Sequence, residues 1–396
     1  MGLLRDFSTS AITAGFVAVL VGFTSSVAIV FQAALAFGAT PAQVSSWMWS
    51  LGIGMGLCTM LPSWWLRKPV MVAWSTPGAA VLATTGLAGG YSMGDAVGAF
   101  LASAALVTLF GVTGWFEKIM NRIPVAVASA LLAGVLARFG MQAFVAAQTA
   151  LPLVLLMLAS YLLGKRLASR YAVLISLLVG VSYGVMRGQM AFAEVQAGLA
   201  MPVFTMPRFG WSAFISLAIP LFVVTMASQN LPGVAAIRAS GYGGTGGLPV
   251  SGIITLTGLV TLVLAPIGAF ALNLSAITAA ICMGPQAHPD PARRYTAAMA
   301  CGALYVLIGL FGATVTSLLT AFPKELVAAI AGLALLGTIA NALTVALQEE
   351  PYREAAIITF LVTLSGVVVA GVGSAFWGVV AGTVALAVQQ YGRRVS

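Results

Sequence analysis

From residue 10 onward the chain alternates between apolar runs of about twenty residues and short connections rich in Arg, Lys, Pro or Gly. A helix of that length crosses the ~30 Å hydrocarbon layer of a bilayer. The runs lack the period-two alternation of an outer-membrane barrel strand. Expected spans are 10–34, 42–63, 69–88, 93–114, 123–142, 148–164, 171–187, 211–237, 248–265, 266–285, 294–315, 324–344, 354–371 and 373–391. The expectation is therefore an all-α polytopic membrane protein of fourteen segments, since lipid offers an open backbone no hydrogen-bond partner. The first run is too long for a signal peptide and lacks a small-residue cleavage site, so no cleaved leader is expected.

Two interruptions of the apolar pattern resemble each other. Residues 67–84, RKPVMVAWSTPGAAVLAT, lie over residues 264–280, LAPIGAFALNLSAITAA, with Pro69 on Pro266, Thr76 on Asn273 and Ala79 on Ala276. Residues 121–134, NRIPVAVASALLAG, lie over residues 320–332, TAFPKELVAAIAG, with Pro124 near Pro323. Both offsets approach half the chain, which points to two halves of seven spans. Seven is odd, so the second half enters the membrane upside down: a 7+7 inverted repeat.

In span 3 a β-prone run, VMVAW, precedes Ser75, Thr76, Pro77 and Gly78. Thr76 is expected to cap a half-helix with Pro77 at its first position. Span 10 repeats the plan, with Pro266 and Gly268 before an extended run and Asn273 expected to cap a helix through Cys282. Non-helical backbone at that depth must be buried in protein or line a cavity. With the two halves inverted, both half-helix N-termini meet near mid-bilayer. Each carries about half a positive charge and unpaired N–H groups, which suits an anion such as a carboxylate.

Span 8 carries TMASQNLPGVAA, residues 225–236, so that Ser228, Gln229 and Asn230 fall at about the same depth. Their amides offer both donors and acceptors. Hydrogen bonding between helices is the structural alternative for such residues. Ser25 and Ser26 hold the equivalent place in span 1. Thr76, Asn273 and their neighbours Ser75 and Ser275 complete the polar set, and Trp74 and Phe270, with Phe23 and Phe31, are candidate aromatic walls.

Composition agrees: 60% of residues are hydrophobic and 7% charged, where soluble proteins carry about a quarter charged. The net charge of +9 is scattered through loops, so it indicates orientation and no nucleic-acid partner. With fourteen spans, all of the 18 basic residues except Arg138, Arg187, Arg208 and Lys324 fall on the side of the N-terminus, which places both termini in the cytoplasm. Cys58, Cys282 and Cys301 sit in apolar segments and read as packing residues, with no disulfide, metal or cofactor implied. Arg138, deep in span 5, either snorkels to the interface or faces inward.

The motifs WSTPGAA, SQNLPG and ALNLSAI resemble the benzoate/proton symporter family (the benzoate membrane transport proteins), and the likeness covers essentially the whole chain. That family is similar in architecture to the uracil and nucleobase permeases. The resemblance implies a uracil-transporter-like fold with a core domain (1–120, spans 1–4, and 209–318, spans 8–11) moving against a gate domain (121–208, spans 5–7, and 319–396, spans 12–14). It also implies benzoate as substrate and protons as the coupled ion. A bacterial inner membrane is the expected location, and a second copy of the chain is a candidate partner. Nucleobase permeases carry glutamates in spans 8 and 10, where this chain has Gln229/Asn230 and Asn273. Its nine acids all fall in loops or at span ends, so the proton rides on the substrate, passes through Glu325 or Asp95, or is weakly coupled.

Other classes remain as alternatives: an anion exchanger or nucleobase-type carrier of the same fold, a channel, or a membrane-embedded enzyme. An enzyme needs acid/base or nucleophilic groups gathered at one depth, and the sole histidine, His288, lies in the polar loop PQAHPDPARR.

Overall fold

The computed structural model describes residues 6–24, 26–116, 125–168, 171–192, 195, 197–243, 246–285, 287–369 and 374–390. Ser25, Pro124 and Arg122 lie outside the described residues. The chain forms helices α1 (Thr9–Thr24), α2 (Val27–Ala36) and α3 (Pro41–Leu66), strand β1 (Val72–Trp74), then α4 (Thr76–Gly89), α5 (Met93–Thr113), α6 (Val125–Val145), α7 (Ala147–Leu167) and α8 (Ala172–Met186). Residues 197–210 carry no regular secondary structure, and after them come α9 (residues 211–239), α10 (Val250–Leu264), strand β2 (Leu272–Leu274) and α11 (Ile277–Cys282). The chain ends with α12 (Tyr295–Leu310), α13 (Gly312–Thr320), α14 (Lys324–Ala346), α15 (Arg353–Ser365) and α16 (Ser374–Gln390).

Among the described residues eight helices are long and apolar enough to cross a membrane, or nine if Pro291–Leu310 and Gly312–Thr320, bent by 65°, form one span. Each other expected span coincides with something shorter: 15 residues in α8, 13 in α15, 17 in α16, and a strand plus a short helix at spans 3 and 10. The molecule is a polytopic helical membrane protein whose spans differ widely in length.

The two strands define its centre. They pair antiparallel, with Val72 opposite Leu274, Ala73 opposite Asn273 and Trp74 opposite Leu272. Beyond the strands the ladder continues symmetrically: Ser75 N–H donates to Ala271 O at 2.9 Å and Ser275 N–H to Met71 O at 3.0 Å. The local two-fold axis therefore passes between Ala73 and Asn273, and Ser75 answers to Ser275. The sequence alignment of Thr76 with Asn273 was a few residues out of register, because it matched prolines that precede strands of different lead-in length.

Both extended stretches are forced by what comes before them. At the end of α3, Arg67 adopts the left-handed region with φ 52°, and Pro69 bars helical backbone in the residue before it. Before β2 the same reversal falls on Gly268, with φ 108°, where an added Cβ would stand 2.0 Å from the Trp47 ring. Only glycine fits there. Trp47 in turn packs on Phe100 and Phe270, at centroid distances of 5.3 and 5.8 Å, and fixes the turn against the core.

In an antiparallel pair every second N–H points away from the partner strand, and side chains from neighbouring helices take these up. Val70 N–H donates to Ser63 Oγ (2.9 Å), Val72 N–H to Thr59 Oγ1 (3.2 Å) and Trp74 N–H to Met55 Sδ (3.1 Å). Residues four apart on α3 advance about 6.0 Å and residues two apart on a strand about 6.6 Å, so one helix face serves one strand edge. On the other side Leu272 N–H donates to Thr261 Oγ1 (3.3 Å) and Leu274 N–H to Asn230 Oδ1 (2.9 Å).

α9 is not a regular rod. It contains π-helical turns at Phe214–Ala218 and Met226–Asn230. A proline four residues beyond a carbonyl lacks its hydrogen bond and crowds that oxygen. Pro220 and Pro232 stand in that relation to Ser216 and Ser228, and in each case the turn widens to π geometry, a frequent mark of functional helices.

Replacing Thr59 with valine leaves the buried Val72 N–H without an acceptor, a loss of about 1–3 kcal/mol. The purified Thr59→Val protein should therefore melt at a lower temperature than wild type, while Thr113→Val, altering an exposed side chain on α5, should not; equal melting of both would remove the strand-edge role.

Candidate functional site

The site expected from the sequence centres on the strand crossing. Ser75 is extended, at φ −79° and ψ 96°, and caps α4: its Oγ accepts from Gly78 N–H at 3.0 Å and from Thr225 Oγ1 at 3.0 Å. The cap thus falls one residue before Thr76, which is the first helical residue, with Pro77 second. The strand ladder holds Ser75 extended and leaves Thr76 free to turn.

Across the two-fold, Ser275 Oγ accepts from Thr278 N–H (3.4 Å) and from Thr278 Oγ1 (2.7 Å). Asn273 does not cap: pairing with Ala73 keeps it in β2, and the helix that follows is only six residues long, Ile277–Cys282. The two half-helices are therefore unequal, α4 having 14 residues. Asn273 is fully buried; its Nδ2 reaches Leu274 O at 3.5 Å, and its Oδ1 is buried with no hydrogen-bond partner.

The π turn brings α9 to this crossing. Asn230, also fully buried, accepts from Leu274 N–H through Oδ1 and donates from Nδ2 to Met226 Sδ at 3.1 Å. The structure thus uses Asn230 to hold β2. Ser228 and Gln229 on the same turn are half-buried. Among the described residues neither makes a side-chain hydrogen bond, so Gln229 keeps donors and an acceptor for another partner. α9 meets α6 at this same turn, placing Gln229 near the contact between those two helices.

Trp74 faces the break between α1 and α2. Its Nε1 donates to Ser26 Oγ (2.8 Å), Ser26 Oγ donates to Gly22 O (2.9 Å), and Phe23 lies over the indole at 5.5 Å. Phe270 is fully buried against Trp47 and Phe100 and acts as core support for Gly268. Sequence reasoning missed Thr225, Thr59, Ser63, Met55 and Thr261. A signal existed in Met55, Thr59 and Ser63, spaced by four on α3, although their partner strand was not visible from that spacing.

Formal charges stand apart from the crossing. Asp95 completes the capping box of α5 by accepting from the N–H of its N-cap, Ser92, at 2.9 Å, Glu325 accepts from Thr149 Oγ1 at 3.4 Å, and Glu354 accepts from Gln389 Nε2 at 2.7 Å. Asp6 joins Arg67, Tyr295 and Arg293 where α3 ends. The Arg138 guanidinium packs over Gly366, the left-handed C-cap of α15, where it faces the negative end of a helix dipole. No group of His, Cys, Asp or Glu able to hold a metal occurs among the described residues.

Interrupted spans that meet through short strands inside a polytopic helical bundle are a build that recurs among membrane transporters. The chain belongs to the benzoate membrane transport protein family, whose model matches residues 5–388. It is 46% identical over 371 residues to the inner membrane protein YdcO of Escherichia coli, covering 94% of this chain and 93% of that one. It is 39% identical over 383 residues to the benzoate membrane transport protein of Acinetobacter baylyi, covering 97% and 96%. Its fold resembles the transmembrane domain of a cyanobacterial bicarbonate transporter, BicA, with TM-score 0.58, 12% identity and coverage of 95% and 97%. It also resembles SLC26A9, with TM-score 0.58, 15% identity and coverage of 98% and 67%. The fold likeness thus runs to BicA and SLC26A9 and not specifically to a uracil permease. As a member of its family the chain is a transporter and not an enzyme.

The two amides of the π turn should separate on substitution. Asn230→Leu strands the buried Leu274 N–H and should destabilise the protein by about 1–3 kcal/mol, read as a lower melting temperature. Gln229→Ala should leave melting within the spread of an ordinary surface change, about 0.5 kcal/mol. The reverse order would exchange the roles assigned to them.

Proposed function

We propose that this protein imports benzoate or a similar small aromatic carboxylate, together with a proton, across a bacterial inner membrane. Membership of the benzoate membrane transport protein family and the likeness to an inner membrane protein of Escherichia coli support the substrate class and the membrane. In this reading fourteen segments form a 7+7 inverted repeat with both termini cytoplasmic. The core domain (1–120 and 209–318) carries substrate and moves against the gate domain (121–208 and 319–396) in alternating access.

The observation that carries the reading is the crossing itself. Ser75 caps α4 and Ser275 accepts from the first turn of α11 at the two ends of one two-fold strand pair, with neutral amides beside it and no carboxylate among the described residues there. The N-terminus of α4 supplies about half a positive charge, Thr76 and Gln229 supply hydrogen bonds, and Ser228 and Trp74 lie alongside. A carboxylate side chain at this place would repel the ionised form of the substrate; a neutral amide accommodates either form. The proton then travels on the substrate's own carboxyl group, to which the unpartnered Asn273 Oδ1 offers an acceptor. Asn230, Ser26 and Phe270 support this arrangement from behind.

Protein in liposomes with an alkaline interior should accumulate labelled benzoate, and a protonophore should abolish accumulation. Gln229→Ala and Asn273→Ala should each raise KM. Uptake that ignores the gradient but requires an internal anion would replace this reading with exchange. If the substrate carries the proton, apparent affinity for total benzoate should fall about tenfold per pH unit above the acid's pKa. Ring-substituted benzoates should shift that onset with their own pKa; an onset common to the whole series would put the proton on the protein.

A further inference from the structure

Residues 197–210, between α8 and α9, run without regular secondary structure, yet they are fixed in place. Ala200 N–H donates to Leu310 O (2.8 Å), Thr205 N–H to Pro266 O (2.7 Å) and Arg208 N–H to Gly94 O (2.8 Å), while Val203 N–H donates to Ser46 Oγ (2.8 Å). The segment is a strap tied across α3, α5 and α12. Its outward side presents Leu199, Met201, Phe204, Met206 and Phe209, between 63% and 73% exposed, and leads into Trp211, 80% exposed. An apolar face of this extent marks contact with another apolar phase, and aromatic residues at the ends of spans are characteristic of the lipid–water boundary.

Arg208 is set into this strap with care. Gly94 and Gly98, one turn apart on α5, allow it to lie flat on the helix. A Cβ at Gly98 would stand 1.9 Å from Arg208 O, and one at Gly94 would stand 3.1 Å from Arg208 Cγ and Cδ. Beside the arginine opens a cavity of about 370 Å³, walled by Ala99 and Ala102 of α5, Phe209 of the strap, and Trp211 and Phe214 of α9. The two rings of α9 meet edge to face at 5.9 Å. Ion pairs among the described residues engage Arg67 and Arg293, leaving Arg208 without one. The cavity thus combines a cation, apolar walls and a volume in the range of ligand pockets.

We infer that this cavity binds an anionic phospholipid, with its phosphate on the Arg208 guanidinium and the first part of its apolar body against Ala102 and Phe214. A guanidinium matches phosphate oxygens in paired hydrogen bonds. The choice of a lipid over a soluble carboxylate rests on continuity. The face of α5 that holds Ala102 stays apolar and exposed through Leu109 and Val112, so the pocket opens onto a surface that an acyl chain can follow. A soluble aromatic acid would cover the cavity and leave that surface bare. The inference stands whatever the transported substrate.

The test is native mass spectrometry of the full chain, purified with an equal mixture of phosphatidylglycerol and phosphatidylcholine. Wild type should retain phosphatidylglycerol preferentially. Arg208→Gln should lower that preference about five-fold, as expected for one basic residue at a lipid phosphate. Arg208→Lys should keep most of it, and Arg187→Gln, at an exposed arginine outside the cavity, should keep all of it. Undiminished preference in Arg208→Gln overturns the site. Displacement of the retained phosphatidylglycerol from wild type by millimolar benzoate would also overturn it, assigning the pocket to a soluble acid.

Discussion

A strand inside a bilayer must find a partner for every N–H it exposes, because neither lipid nor water supplies one there. This constraint organises the molecule. β1 and β2 satisfy half of each other's groups, and the outward half is met by Ser63, Thr59 and Met55 on one side and by Thr261 and Asn230 on the other. Five side chains from three helices are thereby committed to positions that chemistry at the site does not require. The packing of α3, α9 and α10 around the strands follows from those bonds as much as from apolar contact, and the cap at Ser75 depends on them because the ladder keeps that residue extended.

The electrostatic plan is to keep formal charge at the ends of the bundle. Asp6, Arg67 and Arg293 gather where α3 finishes, Asp95 and Glu325 sit in first turns of helices, and Arg138 finds the C-terminal end of α15. The middle is left to dipoles and amides. Such groups attract a charged solute without holding a fixed charge of their own out of water, a position that costs several kcal/mol for an unpaired ion.

The broad outline was legible from the sequence because it rests on strong signals. Long apolar runs locate the helices, and Pro69, Pro266 and Gly268 mark where two spans stop being helical. The strands themselves were half visible in VMVAW and the run after Gly268, but their pairing register was not, since only the tertiary fold decides that Ala73 faces Asn273. The same limit explains the caps: Thr76 is a good capping residue by type, and a ladder bond through Ser75 N–H moved the cap forward by one. Gln229 and Asn230 are adjacent amides, indistinguishable by composition. The widened turn before Pro232 sends one to the strand and leaves the other open.

The strand pair is a frame with two equal sides, furnished unequally. At its axis a methyl group, on Ala73, faces an amide, on Asn273, and the helices leaving it have 14 and six residues. A molecule seated on a truly symmetric frame has two equivalent poses and exchanges between them. This one distinguishes head from tail, so under the proposed function a solute with a polar end and a flat hydrocarbon end would have a single orientation on it.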